Sequence, residues 1–277
     1  MIFDGCHFEY GNFNSREYSL VFAHLDTSVD TRLSGEIESQ YVFNKKNMSR
    51  RPVGNDYSGS CFSTDVEIVT SGARHLGHHE KRVIEKSLFN RSVYRKLYID
   101  VASDYYCETY EYVDGVMKRF YLECRFMNPH AIEDGAGRTI GYRCTMECSS
   151  PMFIQDAITK KIDINHRSDT DVSTITVNID TDLDEYIYPT VAVNIGRIGG
   201  DMIVCNNTDN PERITRFVSI SPSATITMRG DINYVSGQYY EKFADRNFIR
   251  LLDGENTFTV MGNVESITFE YSQRRAL

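Results

Sequence analysis

Arg143-Cys-Thr-Met-Glu-Cys-Ser-Ser-Pro151 divides two kinds of β-rich sequence. Before it lie one clear helix and a long pair of alternating strands. After it comes a helix-poor run of short strands that ends in Phe248-Ile-Arg-Leu-Leu-Asp-Gly-Glu-Asn256. Within the dividing stretch, Cys144 and Cys148 fall on one face of a strand, because side chains alternate along β structure. Their separation does not fit the Cys-x-x-Cys metal knuckle. They are read as small buried hydrophobes.

Working back from the divide, Phe120–Phe126 and Gly141–Cys148 flank a polar, Gly-rich tip, Glu133-Asp-Gly-Ala-Gly-Arg138, and predict a hairpin. Asp114-Gly115 predicts a tight two-residue turn between Tyr105–Val113 and Met117–Met127. Tyr94–Val101 and Tyr18–His24 read as strands, and Cys61–Val69 alternates as a half-buried strand does. Residues 44–60 read as a polar loop with three breakers. The helix falls near His78–Phe89, where Val83, Ile84 and Leu88 make one apolar face, and Asn90 offers a stop.

Working forward, short strands recur at a spacing of roughly ten residues, the signature of a sandwich. The candidates are Thr174–Ile179, Thr190–Ile195, Asp201–Cys205, Phe217–Ile220, Thr225–Met228, Phe258–Met261 and Ile267–Tyr271. The expected organisation is therefore mainly β with one helix, divided into residues 1–151 and 152–277.

Composition excludes several classes. With 41% hydrophobic and 25% charged residues in 277, the chain has ordinary globular character. No uninterrupted apolar run reaches the length of about 18 residues that a spanning helix needs, so membrane insertion is not expected. Met1-Ile-Phe-Asp-Gly-Cys-His-Phe lacks the basic-then-apolar pattern of a signal peptide, which predicts synthesis in a cytoplasm. The net charge is −9 and the basic residues are scattered, against nucleic-acid recognition. Seven cysteines are an odd number and, without a signal peptide, are expected to be reduced and buried.

No catalytic set stands out. His75, His78 and His79 beside Glu80 offer an i, i+4 pair, but His-Glu-x-x-His is absent and a helix start carries polar side chains anyway. Asp180-Thr-Asp-Leu-Asp-Glu185 opens like a calcium loop, yet Glu185 stands where the loop needs Gly and Val191 where it needs Glu. No Gly-x-Ser-x-Gly elbow or phosphate-cradling loop is present. No catalytic residue, metal ligand or cofactor is expected. Tyr105, Tyr106, Tyr110, Tyr112 and Tyr121 crowd one hairpin, either as cross-strand packing or as anchors for a protein partner.

The order of these elements carries a resemblance. Phe8, Asn12-Phe-Asn-Ser15 and Tyr18 open it, with Leu25-Asp-Thr27, Arg51-Pro52 and Phe62, Val66 and Ile68 following. The helix Glu80–Leu88, Tyr94-Arg-Lys-Leu97, Tyr121-Leu-Glu-Cys124 and Cys148-Ser-Ser-Pro151-Met-Phe153 continue it. Tyr188-Pro189, Cys205-Asn-Asn207, Asp231-Ile232, Phe248-Ile-Arg-Leu251 and Gly254-x-Asn256 complete it. Along nearly its whole length the chain resembles the distal tail (Dit) proteins of long-tailed phages of Gram-positive bacteria. It departs at Ser87-Leu88, where the family often has Trp.

The resemblance implies an N-terminal domain that assembles as a ring, usually of six copies, and a galectin-like β-sandwich outside it. It implies a virion component joining the tail tube protein to the tail-tip hub and holding receptor-binding proteins. Tyr105, Tyr110, Tyr112, Glu133, Asp134 and Arg138 are the candidate subunit-interface residues. Two alternatives remain open: an adhesin whose C-terminal sandwich binds cell-wall sugar, and a β-rich hydrolase.

Overall fold

The computed structural model describes residues 5–23, 38–44, 49–56, 63–89, 92–100, 110–150, 152–183 and 186–276. It separates into two compact units. One comprises Met1–Tyr112, Arg119–Ile154 and Ala276–Leu277, the other Val113–Lys118 and Gln155–Arg275.

In chain order the first strands are β1 (His7–Tyr10), β2 (Phe13–Asn14), β3 (Leu20–Ala23), β4 (Glu38–Asn44) and β5 (Ser49–Asp56). β6 (Ser63–Thr70) precedes helix α1 (His78–Leu88). Then come β7 (Arg95–Asp100), β8 (Tyr110–Val113), β9 (Val116–Glu133), β10 (Thr139–Cys148) and β11 (Met152–Gln155). The main sheet runs β2-β1-β7-β9-β10-β6-β3, with β8 paired to β9. β4 and β5 form a separate two-stranded pair.

Alternation decides what the main sheet buries. Phe120, Leu122, Cys124 and Phe126 of β9 point inward, as do Tyr142, Cys144, Met146 and Cys148 of β10. The register sets Cys148 opposite Cys124 and Met146 opposite Phe126. Phe8, Phe22 and Phe126 cluster there, with Phe8 and Phe22 ring centroids 4.5 Å apart. Each fully buried ring of this kind stabilises the fold by roughly 1.5–3 kcal/mol. Ile84 and Leu88 bury the inner face of α1. Tyr142 Oη donates to Glu85 Oε1 at 3.0 Å, fixing the helix over β10.

Local chemistry explains the irregular points. Asp114 and Gly115 both have positive φ (52° and 77°), as the predicted tight turn requires. β9 and β10 slip register between Arg143 and Thr145, opposite Asn128-Pro129. Asn128 has φ 53°, so a bulge removes the ladder bond that Pro129 is unable to donate. At Gly141 a Cβ would stand 2.3 Å from the Ile68 carbonyl oxygen, so β6 passes too close for any side chain.

Two expectations are corrected. Residues 49–56 are a strand, not loop: the shift between Gln40 and Tyr41 places a bulge at Pro52–Gly54, which lets β5 carry both breakers. The strand expected at Tyr18–His24 starts only at Leu20. A 3₁₀ turn, Ser15–Tyr18, takes the preceding residues because the Asn14 side chain accepts from Arg16 N–H and Ser19 adopts φ 54°.

The second unit is an antiparallel sandwich. Its strands are β12 (Ile158–Asp163), β13 (Val172–Ile179), β14 (Thr190–Ile195), β15 (Gly200–Asn206), β16 (Ile214–Ile220), β17 (Thr225–Arg229) and β18 (Tyr234–Val235). β19 (Gly254–Gly262) and β20 (Val264–Tyr271) follow, before a short β21 (Arg274–Ala276). One sheet runs β12-β20-β14-β17-β18 and the other β13-β19-β15-β16. Val193, Ile226, Ile267 and Phe269 from the first meet Val177, Val204, Phe217 and Phe258 from the second in one core.

Buried amides tie its loops. Asn256 is fully buried; its Oδ1 accepts from Leu252 N–H at 2.9 Å and from Asn206 Nδ2 at 3.0 Å. Its Nδ2 donates to the Leu252 carbonyl at 2.7 Å. All polar atoms named here have partners, as burial demands.

Candidate assembly surfaces

The two groups of candidate interface residues flank β9, at its opposite ends. Near its start, Tyr110 and Tyr112 project from β8 with 50% and 65% of their surface exposed, their rings edge to face at 5.9 Å. Two such rings held open to solvent have the character of protein-contact anchors. Tyr105, like Tyr106, lies outside the described residues. At the far end, Glu133 opens the tip between β9 and β10. Arg119 and Glu133 are separated along the strand by about 45 Å, at roughly 3.3 Å per residue. The predicted residues therefore make two patches, not one.

The tip is a preformed turn. Asp134 Oδ1 accepts from Ala136 N–H and Arg138 N–H, both at 2.9 Å. Its Oδ2 accepts from Arg138 Nε at 2.8 Å. These donors, the Arg138 backbone N–H first, hold the Asp134 carboxyl down to about 2. The Arg138 charge is thus already engaged inside the turn. Glu133 forms no ion pair among the described residues and leaves its carboxylate outward.

Tyr121 takes the packing role instead. It is 9% exposed and lies 5.5 Å from the Tyr98 ring. The Lys96 ammonium sits 4.0 Å over Tyr121 and the Arg119 guanidinium 3.9 Å over Tyr98. Arg119 also pairs with Glu9 at 2.9 Å. Further along the same outer face, Arg125 pairs with Glu147 at 2.7 Å, and Tyr94 Oη donates to Glu147 as well. The Tyr94 hydroxyl, then Arg125, holds the Glu147 carboxyl below the usual range. Sequence reasoning missed this mosaic. The alternation Arg119, Tyr121, Glu123, Arg125 was visible, but its partners come from β1, β7 and β10, which only topology brings alongside.

The metal-like motifs resolve into ordinary structure. His75, His78 and His79 are exposed at the start of α1. Glu80 accepts from Gly77 N–H at 2.8 Å and pairs with Arg74 at 3.0 Å, which caps the helix. In the acidic loop, Arg275 Nη1 binds Asp180 at 2.8 Å and lies 3.7 Å from Asp182. Asp184 and Glu185 lie outside the described residues. No group of three ligand-type side chains suited to a metal ion occurs among the described residues. Cys6, Cys124, Cys144, Cys148 and Cys205 are buried and not joined in disulfides. Burial pushes the Cys124, Cys144 and Cys205 thiols up, away from the reactive thiolate.

No protein-family model matches the chain, and no curated protein sequence matches it either. Its fold, taken over the whole length, is Dit-like. One solved structure it matches well is the Dit protein (gp 19.1) of SPP1, described as a paradigm of the hub adsorption apparatus in phages infecting Gram-positive bacteria. That match has a TM-score of 0.62 at 9% identity, covering 97% of this chain and 98% of the other. A chain of the phage P2 baseplate in its activated conformation with Ca gives a looser likeness, at TM-score 0.47 and 8% identity. It covers 97% of this chain and 98% of that one. No helix among the described residues is long and apolar enough to cross a membrane.

Proposed function

We propose that the chain is a structural virion protein of a phage tail tip or baseplate. The observation that carries this reading is the full-length likeness in fold to the SPP1 Dit protein. In the proposed assembly, residues 1–151 form a ring of six copies. The ring joins the tail tube protein to the tail-tip hub, and the sandwich, residues 152–277, holds receptor-binding proteins at the periphery.

A closed ring uses a heterologous interface, so each subunit needs two different contact patches. The exposed Tyr110–Tyr112 pair and the Glu133–Arg138 tip, at opposite ends of β9, meet that need. The protein is made in the host cytoplasm and ends in the virion. No catalytic step, cofactor or nucleic-acid partner enters this role.

Light scattering and negative-stain imaging of the full chain test it. The expected result is a particle near six times 31.8 kDa with a central opening. A strict monomer, both alone and mixed with tail tube protein, would overturn the proposal.

A further inference from the structure

The sandwich has four edge strands, and three are defended against pairing with another chain. β18 is two residues long. β16 is covered, because Val218 N–H donates to the Lys242 carbonyl at 3.0 Å and Ala244 N–H to the Arg216 carbonyl at 2.9 Å. β12 carries Lys160, Lys161 and Asp163, and Lys160 falls in the alternation on the inward-facing side with Ile158 and Ile162. Short length, coverage and inward charge are the devices by which proteins blunt a sheet edge.

β13 has none of them. Its eight residues, Val-Ser-Thr-Ile-Thr-Val-Asn-Ile, include no charge, proline or glycine. Its register with β19 runs unbroken from Val172 opposite Met261 to Ile179 opposite Gly254, so no bulge twists it away. Among the described residues no strand pairs with its other edge. Beside it lies an open groove of about 450 Å³, lined by Lys160, Ile162, Asp163 and Ile164 on one side and Ser173–Thr176 on the other, with the Asp163 carboxylate already paired to Lys161 at 2.9 Å.

We propose that β13 is a docking edge that receives an extended, acidic segment of another protein as an added strand. Save for the Asn178 carbonyl, which accepts from Tyr271 Oη at 3.4 Å, the outward backbone N–H and C=O groups of β13 form a row that extended backbone satisfies and little else does. Alternate side chains of the added strand would face the groove, short apolar ones against Ile162, Ile164 and Ile175. A carboxylate among them meets Lys160, which forms no ion pair among the described residues. The same lysine disfavours a second copy of this chain as occupant, since two β13 edges brought together carry two Lys160 ammonium groups toward one seam. The proposal goes beyond the ring role and does not depend on it.

The test uses the full chain, isotope-labelled, with the synthetic peptide acetyl-Thr-Val-Thr-Glu-Thr-Val-Thr-Val-amide. One control peptide has Lys for Glu, and another has Pro at alternate positions. The expected result is saturable binding of the Glu peptide with slowed amide exchange confined to residues 172–179, and no binding of the Pro peptide. Glu should be preferred over Lys by about two- to fivefold, as for an exposed ion pair, and Lys160→Glu should reverse that preference. Unchanged exchange at 172–179 with saturating peptide would overturn the proposal, as would protection centred elsewhere. So would self-association through β13 in the absence of peptide.

Discussion

Asp134 shows how a single side chain sets the shape of a candidate contact. Its carboxylate gathers two backbone N–H groups and the Arg138 side chain into one turn. Because the folded carboxyl titrates at about 2, below its ordinary 3.8, its stabilisation is present above the ordinary value and disappears as pH falls through about 2. The Asp134 carboxyl carbon, followed by NMR, should titrate with a midpoint near 2, and the Ala136 and Arg138 amides should lose exchange protection together with it. A midpoint near 4 would mean that the turn is open. At this scale the sequence was readable where the chemistry is local. Asp114-Gly115 announces its turn because few other pairs accept two positive φ values. Glu133–Arg138 was readable as a turn, but the engagement of Arg138 by Asp134 was not, because it depends on side-chain direction within the loop.

At the scale of elements, the tyrosines along β8 and β9 divide by exposure. Tyr121 is packed against Tyr98 and Lys96, so Tyr121→Ala should destabilise the first unit by about 2–4 kcal/mol, read as a fall in denaturation midpoint. Tyr110→Ser removes an exposed ring and should change stability by no more than about 0.5 kcal/mol. Under the ring proposal it should nevertheless shift the particle mass toward monomer in light scattering. Unchanged assembly would remove Tyr110 from the interface. β14 was readable to the residue, since Thr190–Ile195 alternates cleanly between two partner strands. β12 went unread because Lys160 and Lys161 interrupt its alternation, and lysine on an edge strand serves protection rather than packing. β5 went unread because Pro52 and Gly54 look like breakers until a bulge accommodates them.

For the molecule as a whole, each compact unit closes its own core. Phe126 is fully buried in one and Phe258 in the other. Each Phe→Ala substitution should cost about 3–5 kcal/mol in its own unit. Scanning calorimetry should show Phe126→Ala lowering one transition and Phe258→Ala lowering a different one. A single transition moved equally by both would mean that the units melt as one. A change in strand length and spacing was readable near residue 151, and the expected division into 1–151 and 152–277 rests on it. Strand order in the main sheet was not readable, because β1 and β7 pair across more than eighty intervening residues, and no local pattern encodes such a partner.

The same long strand has a mechanical meaning. β9 runs 18 residues, paired with β7 over Leu122–Cys124 and with β10 over Cys124–Glu133. Ladder bonds lie perpendicular to the strands, so tension applied along β9 loads many of them in parallel shear instead of peeling them one after another. Yield under such a pull begins at Asn128-Pro129, where the ladder already misses a rung, which makes the bulge the weak link of an otherwise stiff tie-bar.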